Sequence, residues 1–355
     1  MTTAMTGVKR RAGLRIGAAL AGAALLAAGC GGSPSAAGGG GEITVLCGAT
    51  EEWCEANTSA FTEATGIDAN FVRLSSGEAA ARLEAGKDAP EFDVWHGGPA
   101  DGFTAAAERG LLEPYTSPAA AAVRPEYKAA DGSWTGIYVG VLGFCSNKTV
   151  LAKLGVPAPT SWQELLDPRM VKNVSVAHPS TSGTGFTALW TQVSLAGGDQ
   201  AKGLDYMMSL RPNILQFTRS GVGPLQQVSR GEIATGIVFS HDCVKSQEEG
   251  IDDLEVSFPR EGTGYEVGGV AVVKNARNVE GAKAYVDWSL SKQAQEIGPT
   301  VGSYQLPTNP EAAVSEKSAR LDELTLVDYD IAAAGAAKSD LVKKFDADIS
   351  APPAE

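Results

Sequence analysis

Short β-rich runs alternate with amphipathic helical periods along most of this chain, and glycine, serine or proline marks nearly every junction. A parallel strand needs a crossover to reach its neighbour, so the pattern predicts an α/β fold of largely parallel sheets with helices on their faces. The first half reads as strand 43–47, helix 51–65, strand 67–74, helix 77–87, strand 92–95 and helix 99–109. In the first of these helices Trp53, Ala56, Ala60, Phe61 and Ala64 share one face, and Gly66 stands where a left-handed residue ends a helix. Ser76 is expected to cap the second helix, while Pro99 opens the third and Gly110 closes it.

A break rich in proline and alanine runs from 113 to 133, and strand 134–145 is then long enough to leave one domain and enter another. The second unit reads as helix 162–166, strand 174–177, helices 184–195 and 201–210, strand 214–217, helix 222–230 and strand 233–240. Strand 267–274, followed by helices 279–290 and 292–297, is expected to return to the first domain. The tail from 315 to about 347 reads as helical and packed on the outside, with 350–355 frayed. Two crossings between lobes leave a cleft, with ligand at the carboxyl ends of the strands. The expected boundaries are 42–137 for the first lobe, 138–260 for the second, and 261–355 for the return to the first lobe with the C-terminal helices.

The N-terminus reads as an export signal. Lys9, Arg10, Arg11 and Arg15 accompany an apolar run of 13 residues from Ile16 to Ala28, followed by Gly29-Cys30 and a Gly/Ser/Ala/Pro spacer to Gly41. The run is shorter than the ~20 residues of a membrane-spanning helix. Residues 1–29 are therefore expected to be cleaved, Cys30 to carry lipid and 30–41 to be a flexible linker, on the extracytoplasmic face of the cell membrane. The alternative is an ordinary secretory signal with a chance cysteine. Without residues 1–29 the chain has 29 − 4 = 25 basic against 42 acidic side chains, a net charge of −17. Such a surface repels nucleic acid, so local dipoles have to hold any anionic ligand.

Cys47, Cys54, Cys145 and Cys243 are an even number in an oxidising compartment, which suggests two disulfides. Cys47 and Cys54 are close enough to close a short loop, and Cys145 pairs with Cys243 by elimination; four reduced, buried cysteines are the alternative. With no C-x-x-C, and His96, His178 and His241 as the three histidines, the chain offers no zinc site, and no cofactor is expected.

Three small-residue clusters, Ser75-Ser76-Gly77, Ser180 to Gly185 and Ser220 to Gly223, each follow a predicted strand and precede a predicted helix. Free amides, hydroxyls and a positive dipole end converge there, a receptor for an anionic oxygen group, although helix capping alone explains any one of them. Gly97-Gly98 forms a fourth such loop, where a missing Cβ lets a ligand reach the backbone. Ser240-His241-Asp242 ends a strand, and Glu266 lies near the return crossing. An imidazole beside a carboxylate suits a polyol, because Asp accepts from hydroxyls while His donates or accepts; a surface helix cap is the bland reading. Trp95, Trp134, Trp190 and Tyr265 are candidates to stack on a sugar face or to fill the core. No G-x-S-x-G, P-loop, G-x-G-x-x-G after a strand or H-E-x-x-H occurs, so a secreted phosphatase or esterase using a Ser-Gly turn with His241 is a distant alternative.

Residues 42 to about 305 resemble the iron-type branch of the ABC-transporter solute-binding proteins. The matching phrases include Thr65-Gly-Ile67, Ser75-Ser-Gly-Glu-Ala79, Phe92-Asp-Val-Trp95, Gly110-Leu-Leu-Glu-Pro-Tyr115, Trp162-Gln-Glu-Leu-Leu-Asp-Pro168, Pro179 to Gly185, Arg230-Gly-Glu232 and Gly262-Thr-Gly264. The resemblance implies the two-lobed periplasmic-binding-protein fold (type 2). Ferric members hold the metal with two adjacent tyrosines where this chain has Ser240-His241-Asp242, and none of its eight tyrosines adjoins another. Ferric iron wants anionic oxygen donors such as phenolates, which argues against a metal site. The Ser-His-Asp phrase with the later Glu266 is more similar to the hexose-phosphate-binding members. That likeness implies His241, Asp242 and Glu266 for the polyol, and Ser75, Ser76, Ser182, Thr184, Ser220 and Gly221 for the phosphate. Cys47 to Cys54 resembles that subgroup's first loop and brings Thr50 to the ligand.

The expectation is a monomeric, lipid-anchored receptor, not an enzyme, that closes two lobes on a small anionic solute such as a sugar phosphate and delivers it to an ABC permease. Arg73 or Arg219 supplements the dipoles. Ferric iron, a phosphonate or another organic ion on the same scaffold is the alternative.

Overall fold

A computed structural model describes residues 41–350, so the signal sequence, Cys30 and the linker up to residue 40 lie outside the described residues, as do residues 351–355. Strand β1 (Glu42–Cys47) leads into helix α1 (Glu51–Thr65), which buries Trp53, Asn57 and Phe61 and stops at Gly66 with φ 74°. Strand β2 (Asp68–Arg73), α2 (Ser76–Ala85), β3 (Val94–Pro99), α3 (Ala100–Glu108) and a short β4 (Leu112–Glu113) follow. Strand β5 (Thr135–Asn147) is buried at every position. After it come α4 (Lys148–Leu154), β6 (Val174–Ala177), α5 (Gly183–Leu195), α6 (Gln200–Leu210), β7 (Ile214–Thr218), α7 (Gly223–Ser229), β8 (Thr235–Phe239), α8 (Ser240–Glu248) and β9 (Leu254–Ser257). The described chain ends with β10 (Tyr265–Val273), α9 (Val279–Ser289), α10 (Lys292–Gln295), β11 (Leu306–Pro307) and α11 (Ile331–Phe345).

The fold is a two-lobed α/β architecture joined on β5. One half-sheet has the order β2-β1-β3-β10-β5 and the other β5-β8-β6-β7. The sheets are mixed rather than largely parallel. β1 runs parallel to β2 and β3, and β6 to β7 and β8, as crossover helices require. The connecting strands β5 and β10 run antiparallel to their neighbours β3 and β8 and to each other. Along β5 the core changes hands. Ile137, Tyr138 and Val139 pack with Ile43, Phe61 and Trp95, whereas Leu142 and Phe144 pack with Val176, Phe186 and Trp190. At the crossing sits Gly140, where a Cβ would lie 2.9 Å from Glu266 Oε1 and 3.0 Å from the His241 ring. Only a bare backbone lets both groups lie against the strand.

Both disulfides are formed, Cys47–Cys54 within the first lobe and Cys145–Cys243 between β5 and α8. The C-terminal tail departs from expectation. Its helix covers only 331–345, and the segment before it is irregular because Thr325 and Val327 exchange backbone hydrogen bonds with Thr263. Val327, Tyr329, Leu341 and Phe345 enter the core of the second lobe, so the chain crosses a third time. From there Tyr329 donates to Asp101 at the start of α3 (3.1 Å), and Lys338 pairs with the same carboxylate. The tail thus ties the second lobe to the start of α3 in the first.

Candidate functional site

Between the lobes lies a cavity of about 530 Å³ walled by the strand-to-helix loops of both. Six helices begin at it, because the strands that end there turn into helices whose first amides have no intrahelical acceptor. In the first lobe these are α1, α2 and α3; in the second they are α5, α7 and α8.

At α2 the cap is Ser75, not Ser76. The Ser75 hydroxyl donates to Glu78 Oε2 (2.8 Å) and its amide points to the same oxygen (3.3 Å), a capping box that consumes both donors. Ser75 lines the cavity, yet the donors left over belong to Ser76, whose hydroxyl and amide find no partner among the described residues. At α5 the Ser182 oxygen receives the Gly185 amide, and the Gly183 and Thr184 amides stay free beside the cavity. Gly221 lines the cavity as well, whereas Ser220 faces a wider outer cavity of about 1350 Å³. Gly97 does not line the wall. Its neighbour Gly98 does, with its amide donated to Tyr138 Oη (3.0 Å). Thr50 lines both cavities, and its buried hydroxyl has no partner.

His241 and Asp242 occupy the first turn of α8 rather than the end of β8. His241 Nε2 is 3.7 Å from Asp242 Oδ1, both side chains are about nine-tenths buried, and His241 Nδ1 has no hydrogen-bond partner. The His241 ring stacks on Phe239, with centroids 5.7 Å apart. Burial lowers the pKa of His241 against the pull of Asp242, which favours the neutral ring. Burial raises Asp242, opposed by His241, Lys245 and Arg73. Glu266 is pushed well above the usual carboxylate range, first by burial and then by repulsion from Asp242 and Asp101. A neutral carboxyl, an imidazole and a second carboxyl supply both donors and acceptors, the inventory a ring of hydroxyls needs.

Arg73 lines the cavity and anchors its Nε on the Ala49 carbonyl (3.1 Å). Arg219 does not enter; it bridges the lobes outside by pairing with Glu78 at 2.9 Å. Of the aromatic candidates, Trp95, Trp134 and Trp190 are core residues and Tyr265 packs near Tyr329. The rings that do reach the cavity are Tyr138 and Phe239. Tyr138 lies across Gly268, where a Cβ would meet the ring at 2.1 Å. Sequence reasoning missed Pro99, Tyr138, Phe239 and Gln305 as wall residues. Among the described residues no group of His, Cys, Asp and Glu is placed to hold a metal ion.

The sequence pattern of the bacterial extracellular solute-binding proteins matches residues 57–325. A protein of Haemophilus influenzae carrying no functional name is 41% identical over 319 residues, 88% of this chain and 91% of the relative. The solved structure of the periplasmic binding protein AfuA from Actinobacillus pleuropneumoniae, with fructose-6-phosphate bound, superposes with a TM-score of 0.85 at 38% identity, covering 88% of this chain and 99% of that one. A putative 2-aminoethylphosphonate-binding periplasmic protein of Salmonella paratyphi A is 28% identical over 68% of this chain and 70% of its own length. Iron-bound HitA from Pseudomonas aeruginosa shares the fold at 20% identity and a TM-score of 0.74.

Proposed function

We propose, proceeding from the fact that this chain belongs to the bacterial extracellular solute-binding proteins, two-lobed receptors without catalytic activity, that its solute is a small phosphorylated polyol such as a hexose phosphate. The observation that carries the reading is the pairing, in one cavity, of unspent donors at Ser76, Gly183 and Thr184 with the His241, Asp242 and Glu266 set. The first group suits an oxyanion; the second suits hydroxyls. The fructose-6-phosphate held by the similar AfuA supports this assignment. Ferric iron lacks its donors, since Tyr138 is the cavity's single phenol and already accepts the Gly98 amide.

A second reading, a phosphonate carrying an ammonium group, is favoured by one feature: Asp242 and Glu266 are two carboxyls in a single buried wall. Calorimetric titration with glucose 6-phosphate, fructose 6-phosphate, 2-aminoethylphosphonate and ferric citrate separates the readings. Tight sugar-phosphate binding is expected, and a response to the phosphonate or iron alone overturns the assignment. Asp242→Ala is expected to cost about 2–4 kcal/mol of sugar-phosphate affinity as a buried hydroxyl acceptor. We place the receptor on the outer face of the cell membrane through lipid on Cys30, handing solute to an ABC permease. Mass analysis of the N-terminal peptide tests the anchor, and an unmodified Cys30 refutes it.

A further inference from the structure

Of the three histidines, His241 lines the cleft and His96 is buried beside Trp53 in the first lobe, whereas His178 stands just past the end of β6, where the strand gives way to the Ser180–Gly185 loop. The loop is wound around this one residue. The His178 carbonyl accepts the Thr181 and Ser182 amides (3.2 and 2.9 Å), and its ring nitrogen Nδ1 accepts the Ser180 amide (3.2 Å) and lies 2.7 Å from the Ser180 hydroxyl. A side chain that takes the amide two residues on does what Asn or Asp does in a turn. From the turn so fixed, the Thr181 carbonyl accepts the Gly77 amide of the opposite lobe (3.0 Å), the Thr181 hydroxyl donates to the Arg219 carbonyl (2.8 Å), and Ser182, Gly183 and Thr184 line the cavity.

A backbone amide only donates, so Nδ1 has to carry the lone pair and the neutral ring its proton on Nε2, which faces Asp346 Oδ1 at 3.4 Å. Phe217 of β7 and Phe345 of α11 stand edge-on to the ring, with Arg211 beyond Phe217. Asp346 is the single charged group within ion-pairing distance of it among the described residues. Resting on the sugar-phosphate reading, we propose that His178 is a positioning residue for the oxyanion donors: as a neutral acceptor it holds the Ser180–Gly185 loop in its binding shape, and on taking a proton it releases the loop, so that the receptor binds its solute more weakly in acid. A proton on Nδ1 meets the Ser180 amide hydrogen head-on; the Ser180 hydroxyl can turn to accept it, but the amide cannot. The imidazolium is at the same time drawn toward Asp346. Burial, opposed by Asp346, lowers the pKa of the ring below the ordinary 6.5, so the accepting form prevails at neutral pH and the release falls below it.

Calorimetry with glucose 6-phosphate between about pH 5 and about pH 7.5 compares the mature wild-type protein with His178→Asn and His178→Phe. Asn keeps an acceptor for the Ser180 amide and takes no proton in this range; Phe keeps the ring packing and has no acceptor. His241, the cleft carboxyls and the second proton of the phosphate are the same in all three, so the difference between wild type and His178→Asn isolates His178. At the upper pH, His178→Asn is expected within threefold of the wild type and His178→Phe about tenfold weaker; at the lower pH the wild type should have lost about tenfold more affinity than His178→Asn. His178→Phe binding as well as the wild type, or His178→Asn weakening as steeply in acid, overturns the proposal. A melt without ligand identifies a variant that has lost its fold, and a second readout needs neither variant nor ligand: in nitrogen-15 spectra the neutral His178 is expected as the Nε2–H tautomer, and the Nδ1–H tautomer overturns the turn. If the wild type fails to bind glucose 6-phosphate at either pH, the sugar-phosphate reading falls, while the tautomer still decides for or against the role of His178.

Discussion

Gly77→Ala isolates lobe closure from folding. Gly77 is the second residue of α2, in helical backbone that alanine adopts at least as readily, so the first lobe loses nothing and gains about 0.5 kcal/mol of conformational entropy. Across the cleft the consequence is opposite. Bringing the new methyl from 2.1 Å to an ordinary 3.4 Å contact with the Ser180 oxygen parts the lobes by 3.4 − 2.1 = 1.3 Å at that point. The Gly77–Thr181 hydrogen bond stretches from 3.0 Å to 4.3 Å and is lost. An oxyanion then cannot stay within bonding distance of Ser76 on one side and of Gly183 and Thr184 on the other. Losing two charge-assisted bonds at about 1.5 kcal/mol each amounts to roughly 3 kcal/mol, or about 100-fold in Kd. Calorimetry reads the affinity, a melt without ligand reads the fold, and small-angle scattering with saturating ligand reads closure. The expected result is weak binding, a melting temperature equal to or above that of the wild type, and an expanded particle. Affinity within threefold of the wild type would refute the closed contact as the determinant of binding.

Three further outcomes follow from the charges. Glu266 has its carboxyl raised well above the ordinary 4.5, so the unfolded chain releases its proton first and stability falls as pH rises from about 4.5 through the folded value. Glu266→Gln removes that term, and its melting temperature should exceed the wild type's by about 2 °C near neutral pH, equivalent to about 1–2 kcal/mol; an amide retains one donor and one acceptor, so a hundredfold loss of affinity would mean that Glu266 works ionised. His96 is fully buried between Trp53 and Tyr285 with both ring nitrogens unpartnered, and burial lowers its pKa from 6.5 to about 3. As pH falls through this window the unfolded chain takes up a proton that the folded one refuses, costing about 1.4 kcal/mol per pH unit, and His96→Phe should flatten the melting profile there; an unchanged slope contradicts the burial account. Finally, the dianionic solute we propose would meet a protein of net charge −17 counted without residues 1–29, so stopped-flow association should accelerate with added salt while dissociation changes little; slower association at higher salt would instead mean that Arg73 steers the approach.

How much of this was legible from sequence depended on where each signal resides. The bounds of helix α1 were readable to the residue, because Gly66 supplies the left-handed stop, but its buried face is Trp53, Cys54, Asn57, Thr58 and Phe61 rather than the expected one running through Ala56, Ala60 and the exposed Ala64. The cap at Ser75 was also readable and was misassigned by one position: Ser75 with Glu78 three residues later is the capping-box spacing, and it decides which hydroxyl stays free. Helix α8 was hidden for a functional reason. Its buried positions are Ser240, His241, Cys243 and Ser246, which give no apolar period: His241 lines the cleft and Ser246 the outer cavity, while Cys243 is tied to β5 by its disulfide. Other features live in long-range placement and leave no local trace. The antiparallel pairing of β5 with β10 gives the same apolar run as a parallel one, and the tail's irregular stretch is set by Thr263, more than 60 residues upstream. The glycines fall between these cases. Gly77 and Gly183 read as helix-start residues, and only with the opposing lobe in place do they emerge as the surfaces on which the two halves close.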